Sequence, residues 1–401
     1  MKKPKVLITI HYMEIGGAEI SLIGLLQAFD YSRVDVDLFV YSHRGELMSL
    51  IPDGPRLMPE VRKYTTTELP MKQVLAMGYP DIVLARLLAK IRYKLFRRRN
   101  PSTLPDDAGS YQYMANHVVR LLPRISPATE YDLAINFCGM QNVVLDRVRA
   151  RRRAAWIHTD YSTVDTDRKV DLHQWSRFDR IVSISPEVTK TFLSIYPSLE
   201  PKIVEIENML SPAFVRARAD EFDASSELKG SPVLLSIGRF GPAKNYDNLP
   251  DMARRLVESG LSDLHWYIIG YGDDALIRAK IAEAGMERHV TILGKRANPY
   301  PYIKACDIYV QPSRFEGKSV TVREAQMLGK PVAVTAYPTA ASQISDGVDG
   351  VIVPLDNAGC AQDLAAFIAD KALQAKIVSN LEKADFGNMA EVEKFYKLIP
   401  Q

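Results

Sequence analysis

Between residues 233 and 353 the chain repeats one pattern six times: a short apolar run, a turn of small residues, and in most intervals a helical segment. The runs cover 233–237, 265–269, 290–293, 307–310, 331–335 and 350–353, with helical patterning at 246–259 and 274–284 between them. Runs that stay apolar instead of alternating belong to strands buried on both faces, and strands that alternate with helices form parallel sheets. This pattern commits the segment to a doubly wound α/β domain. A first series of runs precedes it at 5–10, 34–40, 132–137, 154–158, 180–185 and 202–206. The α/β fold expected is therefore two Rossmann-like domains in tandem. The first spans 1–210 and the second 211–385, with a C-terminal helix in 386–401. The charged, small-residue stretch 216–231 reads as a linker.

Composition fits two buried cores, at 401 residues with 47% hydrophobic and 25% charged. A net charge of only +3 gives no global positive field, so no nucleic-acid partner is expected. Cys138, Cys306 and Cys360 are odd in number and widely spaced. They form no metal pattern or disulfide framework, which suits a reducing compartment. The apolar run behind the basic start ends at His11, too short for the core of a signal peptide, and no stretch approaches the ~20 residues of a membrane span. A cytoplasmic location is expected.

Two Asp-x-Asp pairs resemble metal signatures. Asp35 and Asp37 lie in an alternating run, which explains them as the polar face of a half-exposed strand. Asp165 and Asp167 lie in a polar loop, and no metal is expected at either pair. Residues 65–125 break the strand rhythm as a basic helical insertion. Within it 82–100 holds seven bases and no acid, while Leu84, Leu87, Leu88, Ile91 and Leu95 recur at helical spacing. Such a helix suits an anionic membrane surface, with the protein peripheral on the inner face of the plasma membrane. The alternative is a helix packed on its own domain with a solvated basic face.

The loops at strand ends carry the chemistry. After 307–310 comes Pro312-Ser313-Arg314-Phe315-Glu316-Gly317-Lys318-Ser319-Val320-Thr321-Val322-Arg323-Glu324, leading into a helical run that stops at Gly329-Lys330-Pro331. A helix start offers unpaired N–H groups that suit phosphate. Glu324 can also be read as the end of a capping box from Thr321, and Glu316 as a solvated loop acid. After 233–237 comes Gly238-Arg239-Phe240-Gly241-Pro242-Ala243-Lys244. Arg239 and Lys244 place two cations on one loop, a set that suits a diphosphate. Gly16-Gly17 allows close backbone approach at a helix start, or is a tight turn with no ligand. His158 follows a strand end, where a histidine becomes a site candidate.

The spacing of Glu316 and Glu324 resembles the Glu-x7-Glu signature of retaining GT-B glycosyltransferases of family 4 (glycosyl transferases group 1). The resemblance covers about 232–370. In the first domain it is confined to Gly16-Gly17, the His158 stretch and the strand order. It implies two Rossmann-like domains with the active site in the cleft between them, and a last helix that crosses back onto the first domain. It implies a hexose-type transfer from a nucleotide diphosphate sugar, UDP- or GDP-linked, to a glycan or lipid-linked acceptor. Retention of configuration and a metal-independent reaction with no cofactor go with it. Surface polysaccharide assembly is the implied setting. By resemblance Arg239 and Lys244, beside Gly238, hold the diphosphate. Glu316 takes the sugar hydroxyls, Glu324 the ribose hydroxyls, and His158 the donor sugar. Gly16 and Gly17 face the donor phosphate and acceptor. Gly270 lines the nucleotide pocket, and Gly294, Lys295 and Arg296 lie near the base. Gly317, Lys318, Ser319 and Val320 approach the donor. The chain departs from the family at Lys318, where relatives often carry a large apolar residue next to the donor sugar. A sugar-nucleotide isomerase of the same fold and a non-catalytic nucleotide-sugar-binding partner are the rival readings.

Overall fold

The computed structural model describes residues 3–101, 104 and 106–400. The chain forms two compact units, Met1–Met209 with Met389–Gln401, and Leu210–Asn388. In the first, strands β1 (Lys5–Ile10), β2 (Asp35–Val40), β3 (Arg56–Leu57), β4 (Asp106–Asp107), β5 (Tyr131–Cys138), β6 (Ala150–Ile157), β7 (Val164–Asp165), β8 (Arg180–Ser183) and β9 (Ile203–Glu205) follow in sequence. Seven of them form one parallel sheet in the order β3-β2-β1-β5-β6-β8-β9, and β4 pairs with β7 apart from it. Five consecutive residues of β1, Val6 to Ile10, are fully buried, so both faces of the sheet are covered there. In the second unit β10 (Val233–Ile237), β11 (His265–Ile269), β12 (Val290–Gly294), β13 (Ile308–Gln311), β14 (Val332–Thr335) and β15 (Val351–Val353) form a parallel sheet in the order β12-β11-β10-β13-β14-β15.

Each sheet reverses its winding direction once, and that position places the site. In the first unit β1 lies between β2 and β5; in the second β10 lies between β11 and β13. At such a switch point the loops leaving two neighbouring strands diverge and leave a crevice at the carboxyl ends. The loops after β10 and β13 are about seventy residues apart in sequence, yet they leave adjacent strands.

Three elements differ from the sequence-based expectation. β2 is an interior strand, and its alternation lapses after Asp37, because Phe39 on the acids' face is buried beneath Tyr64. Asp37 itself is held by Arg56 and the Tyr131 hydroxyl. The stretch read as a linker is partly a helix of the second unit, Pro212–Ala219, with Val215 and Ala219 buried one turn apart. It packs against the helices Tyr300–Ala305 and Val320–Met327.

The third is the basic helix, which runs Pro80–Arg99. It buries Ile82, Ala85 and Ala89, and stacks Tyr93 and Phe96 against Tyr113 of the helix Gly109–Val118. The Leu84–Leu95 stripe is not the packed face. Two of the seven bases are committed inward. Arg86 donates to the carbonyls of Thr66 and Leu69, and Arg97 pairs with Asp107 and Asp165 at 2.6 and 2.8 Å. Among the described residues no helix is long and apolar enough to cross a membrane.

From residue 389 the chain lies in the first unit, as the short helix Val392–Tyr396. Phe395 is fully buried, edge-on to Phe29 at 4.7 Å. Arg33 pairs with Glu393 at 2.6 Å, and Arg152 donates to the Leu398 carbonyl.

Candidate functional site

In the second unit the β10 and β13 loops are stitched into one surface. The Arg314 guanidinium forks onto Asp247 at 2.9 and 2.8 Å and also donates to the Pro242 carbonyl. The Arg314 amide donates to the Ala243 carbonyl. These bonds hold 312–319 against 238–247 independently of any ligand. Glycine is required where the turns cross. A Cβ on Gly238 would stand 2.9 Å from the Lys244 stem and the Tyr246 hydroxyl, and one on Gly270 would overlap the Gly238 carbonyl oxygen.

On this surface Lys244 Nζ meets Glu316 Oε1 at 2.6 Å. The same oxygen accepts from Gln311 Nε2 at 3.0 Å and Ser313 Oγ at 2.5 Å. The Glu316 carboxylate is therefore a preorganised acceptor rather than a solvated loop acid. Arg239, five residues before Lys244, is exposed and makes no ion pair with another described residue.

The helix Val320–Met327 starts from Ser319, whose side chain makes no capping bond. Thr321 lies inside the helix and its hydroxyl is shared with Tyr309, so the capping box from Thr321 to Glu324 does not form. Glu324 instead turns inward, only 3% exposed, and Oε1 accepts from the buried Tyr300 hydroxyl at 2.7 Å. Burial lifts this carboxyl from 4.5 to about 7, and the Tyr300 hydrogen bond offsets part of that rise. The first-turn amides beyond Ser319 face no side-chain cap.

The remaining candidates divide. Gly270 and Gly272 pack against Phe240 of the β10 loop and so adjoin the site. Gly294 ends β12 with φ +75°, a conformation that favours glycine. Lys295 lies over the Tyr271 ring at 5.9 Å. Arg296 is turned to Tyr302 and Glu227, at 3.0 and 3.6 Å. Gly317 and Lys318 lie in the loop between Glu316 and Ser319 and are partly buried.

The first unit gathers a second group at its own switch point. Gly16 caps the helix Gly17–Ala28 in extended backbone, and a Cβ there would overlap the Glu19 carboxylate that folds back beneath it. Gly17 has open space around it. Glu19 is 6% exposed, and burial raises it to about 7. His11, just past β1, lies 3.8 Å from Glu19. His158, past β6, meets the Phe137 carbonyl at 2.9 Å through Nε2, and its buried Nδ1 has no partner among the described residues. Burial lowers both imidazoles to about 4, so both are neutral at pH 7 and the His11–Glu19 contact is not an ion pair there. A neutral His158 that donates through Nε2 leaves Nδ1 as an unpaired acceptor.

Comparison with known proteins places this geometry. Residues 218–384 match the sequence family Glycosyl transferases group 1. The chain is 33% identical over 127 residues to a 4-alpha-N-acetylgalactosaminyltransferase of Campylobacter jejuni named for a diphospho-undecaprenol substrate, covering 31% of this chain and 33% of that one. It is 26% identical over 149 residues to the lipopolysaccharide core biosynthesis glycosyltransferase LpsE of Rhizobium meliloti, covering 37% and 42%. The matched segment thus spans well under half the length of these curated relatives. Anabaena HepE, solved with UDP and glucose, superposes over 98% of both chains with a TM-score of 0.68 at 17% identity, a likeness of fold. Residues 218–384 form a Glycosyl transferases group 1 domain, and the two parallel-sheet units carry the fold of GT-B glycosyltransferases.

Proposed function

We propose that the protein transfers a hexose-type sugar from a nucleotide diphosphate donor to a lipid-linked or glycan acceptor, with retention of configuration, as family 4 enzymes do. One observation carries the reading: two cations and two differently partnered carboxylates surround one switch point, within the segment that matches group 1 glycosyl transferases. The bond from sugar to diphosphate is already activated. The chemical need is to stabilise negative charge as it grows on the leaving diphosphate, which preorganised cations and amides do. Arg239 and Lys244 supply the cations, and the amides of Val320 and Thr321 supply the dipole end, the Ser319 amide being taken by Gln343. With that charge met by the protein, the reaction needs no metal.

Glu316 is paired with Lys244. On this reading the diphosphate draws Lys244 away and frees the Glu316 carboxylate for the sugar hydroxyls. Glu324 uses Oε2 for the ribose hydroxyls while Tyr300 fixes Oε1. The two acids act at opposite ends of the donor, so the paired-carboxylate logic of glycosidases does not apply. His158, neutral, offers Nδ1 to the transferred sugar. The named relatives suggest the acceptor class: one acts on a diphospho-undecaprenol lipid, the other in lipopolysaccharide core synthesis.

Incubation with radiolabelled UDP- and GDP-hexoses tests this. Transfer to a lipid-linked acceptor, or slow donor hydrolysis without one, is expected. Isomerised nucleotide sugar would favour the isomerase, and binding with neither change a non-catalytic partner.

A further inference from the structure

The helix Pro80–Arg99 presents its apolar stripe to solvent. Leu84, Leu87, Leu88, Ile91 and Leu95 are 41–59% exposed, while Ile82, Ala85 and Ala89 of the same helix are buried. At about 100° per residue these two sets lie on opposite sides of the helix. The inward side is made of Ile82, two alanines and aromatics that let the helix lie close on its neighbour, which leaves the five other large aliphatics outside. A row of large exposed aliphatics on one helix face is costly in water and marks an interaction surface.

The exposed bases fix its partner. At the same helical pitch Arg92 and Arg99 fall along one edge of the stripe and Lys90 and Lys94 along the other, while Arg98 lies in line with the stripe beyond its last leucine. All five are exposed, in contrast to the inward Arg86 and Arg97. Arg92 also touches His117 at 3.1 Å. The one acid on the helix, Asp81, sits at its start and pairs with Lys63 at 2.7 Å. An apolar row between two rows of cations matches a helix lying in the plane of an anionic bilayer, with aliphatics in the acyl boundary and bases at the headgroups. It does not match a second copy of this chain, which would bring bases against bases.

We propose that the helix Pro80–Arg99 docks the first unit on an anionic lipid surface through Leu84, Leu87, Leu88, Ile91 and Leu95, held at the edges by Lys90, Arg92, Lys94 and Arg99 and at its C-terminal end by Arg98. The proposal stands on this helix alone and does not depend on the sugar-transfer reading.

Co-sedimentation of the full chain with phosphatidylglycerol-containing vesicles, and with pure phosphatidylcholine vesicles, tests it. Binding to the anionic vesicles only is expected, weakening as salt shortens the Debye length from ~10 Å at 0.1 M to ~3 Å at 1 M. Lys90→Ser with Lys94→Ser and Arg98→Ser should lower partitioning at least ~10-fold. Leu84→Ser with Leu88→Ser and Ile91→Ser should lower it by a similar factor or more. All six side chains are exposed, so both variants should melt as the parent does and keep its nucleotide binding. Equal binding to neutral vesicles, no binding to anionic ones, or unchanged partitioning in either folded variant would overturn the proposal. Concentration-dependent self-association that the Leu84/Leu88/Ile91 variant abolishes, without vesicle binding by the parent, would assign the stripe to a second copy instead.

Discussion

Glu324→Gln should stabilise the protein above neutrality while weakening its hold on a nucleotide. The carboxyl is buried, 3% exposed, and ionises near 7 in the folded chain against 4.5 when free. The stability it lends by staying protonated is complete below pH 4.5, declines as pH rises through that interval, and is gone above about 7. At 1.36 kcal/mol per pK unit, the ionised carboxylate costs up to about 3 kcal/mol at pH 8. Glutamine keeps an oxygen for the Tyr300 hydroxyl and carries no charge to bury. The variant should therefore melt several degrees above the parent at pH 8, since 1 kcal/mol moves the midpoint of a unit this size by ~2–4 °C. At pH 5 the gap should shrink to roughly 2–3 °C, because the folded carboxyl is neutral there and only its partial ionisation in the unfolded chain, about 1 kcal/mol, separates the two. Other buried acids titrate in the same range, Glu19 among them, but they are common to both proteins and cancel in the difference. The cost appears in binding: loss of a charged acceptor for the ribose hydroxyls should weaken UDP or GDP roughly 10- to 100-fold. The assay is differential scanning fluorimetry from pH 5 to 8, paired with nucleotide titration at pH 8. Parallel melting curves at every pH, or a variant that binds both nucleotides as the parent does, would refute the assignment.

Lys244→Ala and Arg239→Ala should each lower kcat/KM by on the order of 10²-fold with the fold intact, and activity should persist in EDTA. Loss of turnover on chelation, restored by Mn²⁺ or Mg²⁺, would contradict the metal-free mechanism. Glu316→Gln should leave binding of the bare nucleoside diphosphate within a few-fold of the parent and depress turnover with the sugar donor; equal damage to both would place Glu316 at the nucleotide. Phe395→Ala removes a fully buried ring that packs on Phe29, and should destabilise the first unit by about 3–5 kcal/mol in a denaturant titration. A change below about 1 kcal/mol would mean that the returning segment is not anchored there.

The parallel sheets were legible because strands buried on both faces must be apolar throughout. The continuous runs at Val6–Ile10 and in β10, β11, β13 and β14 have no other ready explanation. The cations and acids of the site were legible for a related reason, since they lie on loops at strand ends, where the pattern turns abruptly polar. Their partners were not. Tyr300 reaches Glu324 from a separate helix, and Arg314 finds Asp247 across 67 positions. Both contacts exist only because the sheet order brings distant loops together. His11 and Glu19 were hidden similarly: each belongs to an ordinary βα connection until the fold sets them 3.8 Å apart. The capping box failed because the helix begins at Val320, so Thr321 is already inside it. The helix Pro212–Ala219 was obscured by its two arginines, because only Val215 and Ala219 pack at full burial. Helix Pro80–Arg99 shows a limit of periodicity as a signal. Spacing alone identifies an apolar face, but small residues on the opposite side won the packing contact.

The central claim is that the β10–β13 switch point binds the diphosphate of a nucleotide sugar. Isothermal titration of UDP and of GDP into the parent and into Lys244→Ala tests it most directly. The account predicts saturable binding of at least one nucleotide to the parent at one site per chain, unaffected by EDTA and weakened about 10-fold or more in the folded variant. Failure of both nucleotides to bind the parent, or equal affinity in parent and variant, would contradict it.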